Sequence, residues 1–290
     1  MTNMIELYTR FVINRHVIYD NRMAGLPQPW TKDPILASRK FTNVFRVLDP
    51  GSQFVLTDLY TEDEEDFLAR CVLYRMTNLP SAWEVLRDEM GRYPDLIDIL
   101  DGREVVKILQ GHRDAGGQVF SGAYIIMPEP GTTGDKIEGA VRVTQRFISS
   151  WMPAFFQARS QEERFNALRS APGIGKFLAM QILTDWGYCQ TVNLENEFII
   201  AGPGARRGAL IVNPDVPPEN TIRMATKVFK DGIVRVGGMS PSLMDVQNTF
   251  CEFSKYHRFA VGGKPYRNSP YRPAHPGPQP LPVLPVWWQR

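Results

Sequence analysis

Cysteine is scarce. The 290-residue chain has three, Cys71, Cys189 and Cys251, far apart and with no Cys-x-x-Cys pair. That excludes a disulfide framework and argues against a thiolate zinc site. Four scattered histidines add no metal-ligand spacing, so neither a metal nor a cofactor is expected. Long hydrophobic runs are missing as well. The opening stretch MTNMIELYTRFVINRHVIYD carries a charge every few residues and reads as neither a secretory signal nor a membrane span. A cytoplasmic protein without a membrane partner is the expectation. Net charge is small, at +2, and provides no general attraction to nucleic acid. The charge is uneven, however: acids concentrate in DLYTEDEEDF (58–67), whereas cations outnumber acids between Val141 and Lys230. A polyanion would meet the C-terminal half first. Strand signals are confined to GQVFSGAYIIMP (117–128), enough for one small hairpin.

What is present is helical. Residues 4–24 place Ile5, Tyr8, Val12 and Tyr19 on one stripe, with Gly25 set to end the helix. In TKDPILASRKFTNVFRVLD (31–49) a second helix starts, with Asp33 as N-cap and Pro34 in the first turn. Thr61 with Glu64, Ser81 with Glu84, and Ser160 with Glu163 have capping-box spacing. Segments 94–110, 136–152, 219–230 and 241–259 also read as helices. The expected class is mainly α, as one helical domain over 1–260. A proline-rich extended tail over 261–290, either disordered or laid over the domain, ends in Trp287 and Trp288.

The stretch LRSAPGIGKFLAMQILTDW (168–186) is the first with functional content. Two helices flank a Pro-Gly-Ile-Gly turn, giving a helix–hairpin–helix over 161–186. Backbone N–H groups at the second helix's start can bind a DNA phosphate. Gly173 and Gly175 would form the turn, Ile174 would plug between the helices and Lys176 would add charge. A plain helical connection is the alternative. Further on, GPGARRG (202–208) offers Gly202 and Gly204 for close backbone approach to an oxyanion, and Arg206 and Arg207 as forked phosphate donors. It lacks the Walker ending and is no ATP loop. The alternative is a turn with two solvated arginines. Arg39, Asn43 and Arg46 would share one face of the second helix, either meeting substrate or simply solvated. Lys255 lies near the end of the last helix, where it could complement the dipole or touch DNA. Cys251, among Phe250 and Phe253, reads as core more readily than as a nucleophile.

Four blocks carry a resemblance: PWTKDPILASRKFTNVFRVLD (29–49), GIGKFLAMQILTDWGY (173–188), ENEFIIAGPGARRGA (195–209) and DVQNTFCEFSKYHR (245–258). The sequence resembles the helical enzymes of phage thymine hypermodification, the α-glutamyl/putrescinyl-thymine pyrophosphorylases or amino-acid:DNA transferases. These share a helical domain with phage 5-hydroxymethyluracil DNA kinases. The resemblance implies a transferase acting after such a kinase. It would replace the phosphate or pyrophosphate of phosphorylated 5-hydroxymethyluracil in DNA with an amine, from an amino acid such as glycine or from a polyamine, in the host cytoplasm. It also implies a glycosylase-like helix–hairpin–helix fold. In glycosylases of that kind a catalytic carboxylate lies one helix and one loop beyond the hairpin, about where Glu195 stands. Their lyase lysine aligns with Phe177, which leaves no Schiff-base step. Glu195 is therefore the expected general base, with Asp185 and Glu197 as substitutes; Arg206, Arg207, Gly202 and Gly204 would hold the leaving phosphate. Arg39, Asn43, Arg46 and Lys255 would meet the substrate. A monofunctional DNA glycosylase and a non-catalytic DNA-binding module are the competing readings.

Overall fold

The computed structural model describes residues 4–122, 134–230, 234–236, 238–263 and 280–289. The helices in chain order are α1 (Met4–Met23), α2 (Pro34–Ser38), α3 (Pro50–Phe54), α4 (Glu64–Thr77), α5 (Pro80–Met90), α6 (Leu96–Asp101) and α7 (Arg103–Asp114). They continue as α8 (Lys136–Ser150), α9 (Met152–Gln157), α10 (Gln161–Ser170), α11 (Lys176–Gly187), α12 (Pro203–Val212), α13 (Pro218–Lys230) and α14 (Leu243–Ala260). Among the described residues the one β-type pairing is an isolated bridge between Val236 and Met239. The protein is mainly α. The second half of the hairpin expected over 117–128 lies outside the described residues, and 117–122 form no strand. No described helix is long and apolar enough to cross a membrane.

Two compact units emerge. One is formed by Met1–Asp49, Phe198–Leu284 and Trp288–Arg290, the other by Pro50–Glu197 and Pro285–Trp287. The division falls inside the stretch 1–260. In the second unit α4 and α11 are the central pair. Leu178 through Gly187 are all buried, as a helix that is apolar all round requires. The one acid in that run, Asp185, is fully buried, and Arg75 of α4 grips it through both oxygens, Nη2 at 2.6 Å from Oδ1. The first unit has an aromatic core. Tyr8 of α1 stacks on Phe250 of α14 at 4.2 Å between ring centres and meets Phe253 and Phe229 edge-on.

Asp33 does cap α2, accepting from Ile35 and Leu36 N–H, with Pro34 in the first turn. Ser160 caps α10 and accepts from Glu163 N–H at 3.2 Å. The other two boxes are corrected: α4 is capped by Asp63, and α5 begins at Pro80 after Leu79. Capping boxes do occur at Asp95 with Asp98 and at Ser242 with Asp245. In the tail, residues 280–285 are irregular and Val286–Gln289 form one 3-10 turn. Trp287 donates to Gly187 O at 3.2 Å in the second unit; Trp288 donates to Val236 O at 2.9 Å in the first.

Candidate active site

The long second helix expected across 31–49 does not form. The α2 helix ends at Ser38, Arg39 is extended, and only Arg46–Leu48 return to a 3-10 turn. Arg39, Asn43 and Arg46 therefore share no helical face. The cause is competition for the backbone: carboxylates, two of them distant in sequence, take the N–H groups a helix would have used internally. Thr42 N–H goes to Glu252 at 3.1 Å, Asn43 N–H to Asp49 at 2.9 Å, and Arg46 N–H to Asp245 at 2.7 Å. Asn43 is a hub of this segment. Its Nδ2 donates to Leu48 O, its Oδ1 accepts from Arg15, and its carbonyl accepts from Asn248. With every polar group so engaged, Asn43 shapes the segment.

The segment lies along the polar side of α14, where Gln247, Asn248, Cys251, Glu252 and Lys255 are half-buried. Asn248 donates to Thr42 Oγ1 at 2.9 Å. Lys255 donates to the Lys40 carbonyl, approaches Glu252 at 3.4 Å and lies over the Phe41 ring at 4.5 Å. Arg39 stacks over Phe259, 4.9 Å from its centre. Burial of the Asp49 and Asp245 carboxyls pushes each up to about 6, against hydrogen bonds and arginines that pull them down. Burial also pushes the Cys251 thiol up to about 11, which leaves it protonated at neutral pH.

GPGARRG forms the start of α12, and is neither the glycine-rich loop expected nor the turn that was its alternative. Gly204 and Gly208 face α14. A Cβ on Gly204 would come 2.3 Å from Cys251 Sγ, and one on Gly208 2.0 Å from the Phe250 carbonyl oxygen. These glycines let two helices touch, as at close small-residue crossings generally. Gly202 is the N-cap, and Gln247 Nε2 reaches Ile200 O at 3.4 Å just before it. Arg206 and Arg207 are exposed in the next turn, and Arg207 is close enough to lower the Cys251 thiol's pKa. The N-terminal end of a ten-residue helix, with its partial positive charge, is thus fixed beside the α14 polar side. Three of the four blocks quoted above contribute to this one unit.

The fourth block builds the hairpin of the second unit. Ile174 is buried, as expected, and its N–H closes the turn on Ala171 O at 3.0 Å. Gly173 has φ +97°, and a Cβ there would meet Val143 Cγ2 at 2.6 Å; Gly175 has open space around it. The constrained glycine is thus Gly173. Gly175 caps α11 without a side chain, and Lys176 is exposed at its start. Glu195 is buried in a turn and its N–H is held by Asn193 at 2.9 Å; Glu197 is exposed. Asp185 has both oxygens committed to Arg75. Sequence reasoning passed over Glu252, Asn248, Gln247 and Arg15. Their only early signal was the i, i+4 spacing of Asn248 with Glu252, on a helix already quoted for its resemblance.

This is a helical protein whose polar side on one unit combines cationic side chains, a helix N-terminus and a carboxylate. The chain belongs to the family of the 5-hmdU DNA kinase helical domain, whose profile matches residues 2–264. Among curated proteins it is similar to the 5-hmdU DNA kinase of Bacillus phage SP10, 23% identical over 294 residues covering 89% of this chain. The match covers 45% of that kinase, so the chain spans less than half its length. No solved structure matches.

Proposed function

We propose that this protein modifies DNA during phage thymine hypermodification, as a transferase that replaces the phosphate or pyrophosphate of phosphorylated 5-hydroxymethyluracil with an amine. The donor is an amino acid such as glycine, or a polyamine. The observation that carries this reading is the placement of Arg207 and the α12 N-terminus against the α14 polar side in one unit, with Arg206 exposed on the same helix. An anionic leaving group needs such preorganised donors. The similarity to a 5-hmdU DNA kinase supports the modified base as substrate. On this reading the chain consumes the product of such a kinase.

The α10–α11 hairpin, Gly173 to Lys176, would grip the DNA backbone as in glycosylase-like helix–hairpin–helix proteins. Backbone contacts position the enzyme, and the reacting base must leave the stack. Glu195 follows the hairpin where glycosylases place a carboxylate. The reaction class needs no metal or cofactor from the protein.

The test uses oligonucleotides carrying 5-hydroxymethyluracil, plain or phosphorylated by a 5-hmdU DNA kinase, incubated with the protein and pooled amino acids. After digestion, nucleoside masses are read. A kinase-dependent nucleoside heavier by an amino-acid residue is expected. Release of free base without a new nucleoside would return the protein to the glycosylases. Binding with neither product would reduce it to a DNA-binding module.

A further inference from the structure

We infer that Glu252 is the carboxylate that takes the proton from the incoming ammonium; this rests on the transferase reading. Glu252 stands at the middle of the α14 polar side, with its side chain 15% exposed. Its Oε2 is fixed by Thr42 N–H at 3.1 Å and by Lys255 at 3.4 Å. Its Oε1 has no hydrogen-bond partner among the described residues. A general base needs this combination: one oxygen anchored for orientation, the other open to a proton.

The other candidate acids are committed elsewhere. Asp185 has both oxygens on Arg75. Asp245 caps α14 through Ser242 and also holds Arg46 N–H. Asp49 holds Asn43 N–H. Glu195 and Glu197 belong to the second unit. Glu252 acts electrostatically on Asp49 from the 46–49 turn and on Cys251 of its own helix, and Lys255 pairs with it at 3.4 Å.

In the step itself, the ammonium gives a proton to Glu252 Oε1. The freed nitrogen lone pair forms a bond to the exocyclic methylene carbon. The carbon–oxygen bond breaks, and its electron pair leaves with the phosphate or pyrophosphate. The proton on Glu252 then passes to solvent.

Glu252→Gln keeps an oxygen for Thr42 N–H and removes the base. Single-turnover product formation is measured for wild type, Glu252→Gln and Glu195→Gln, with pooled amino acids and separately with methoxyamine, whose nitrogen is unprotonated at neutral pH. With amino acids at neutral pH, Glu252→Gln should slow the reaction by about 10²–10⁴-fold. The deficit should shrink as pH rises and the free amine becomes abundant. With methoxyamine, Glu252→Gln should run within a few-fold of wild type. A full rate with amino acids, or an equal loss with both nucleophiles and no recovery with pH, would overturn the inference. So would the same signature in Glu195→Gln instead. If wild type makes no product from either nucleophile, the transferase reading fails and takes this inference with it.

Discussion

The contact that fixes α12 on α14 can be tested by a relief experiment at Gly204 and Cys251. A Cβ on Gly204 would lie 2.3 Å from Cys251 Sγ, far inside van der Waals contact, yet 3.4 Å from Cys251 Cβ and 3.5 Å from its Cα, which are ordinary distances. Gly204→Ala alone should therefore be overpacked by one atom. Overpacking costs about 1–3 kcal/mol, and the helix propensity of alanine offsets up to about 1 kcal/mol of it. With the full offset, a net loss of about 0–2 kcal/mol follows. Cys251→Ala alone leaves a small void and should cost about 1 kcal/mol. Combined, the new methyl fills the space the sulfur vacated, so the double variant should be more stable than Gly204→Ala. The coupling should be about 1–2 kcal/mol in favour of the pair. Urea unfolding of the four proteins, with midpoints and slopes compared, measures it. Strictly additive effects would show that the two helices do not touch there, and the placement of Arg207 beside α14 would lose its basis.

Other consequences follow from single sites. Gly173→Ala forces a methyl onto a +97° φ and into Val143, and should destabilise by about 1–3 kcal/mol; Gly175→Ala should leave thermal unfolding nearly unchanged. Asp185→Asn leaves Arg75 as a buried charge short of its partner and should cost about 3–5 kcal/mol in urea unfolding. Burial raises Asp49 to about 6 in the folded chain, above its ordinary value of 3.8. Its contribution to stability is therefore complete below about pH 4 and lost as pH rises through about 6. Relative to Asp49→Asn, wild type should lose urea resistance between about pH 4 and 6.5 and change little above that; an unchanged difference would refute the burial argument. Lys176→Ala should weaken DNA binding and reduce its salt dependence by about one phosphate contact, read from affinity against salt concentration.

Local chemistry made part of this fold legible. Pro34 after Asp33 marks a helix start in any context, and Ser160 three residues before Glu163 does the same. The Pro-Gly-Ile-Gly turn gave away the α10–α11 connection because Ile174 must be buried for the helices to meet. The 39–49 segment was misread for a physical reason. Phe41, Val44, Phe45 and Leu48 have helical spacing, and all are buried, but Glu252, Asp49 and Asp245 outcompete the helix for its N–H groups. Two of those acids lie some two hundred residues away, beyond any local pattern. Glu252 escaped notice for the same reason, since its neighbours exist only after folding. GPGARRG misled through its glycines: they fit a loop in sequence and a helix crossing in space.

The most direct measurement of the central claim is the affinity of the protein for oligonucleotides with phosphorylated against unphosphorylated 5-hydroxymethyluracil, repeated with Arg206→Ala/Arg207→Ala. Wild type should bind the phosphorylated base more tightly, and the double variant should lose most of that preference with its unphosphorylated affinity little changed. Equal affinity for the two oligonucleotides, or a preference that survives loss of both arginines, would contradict that claim.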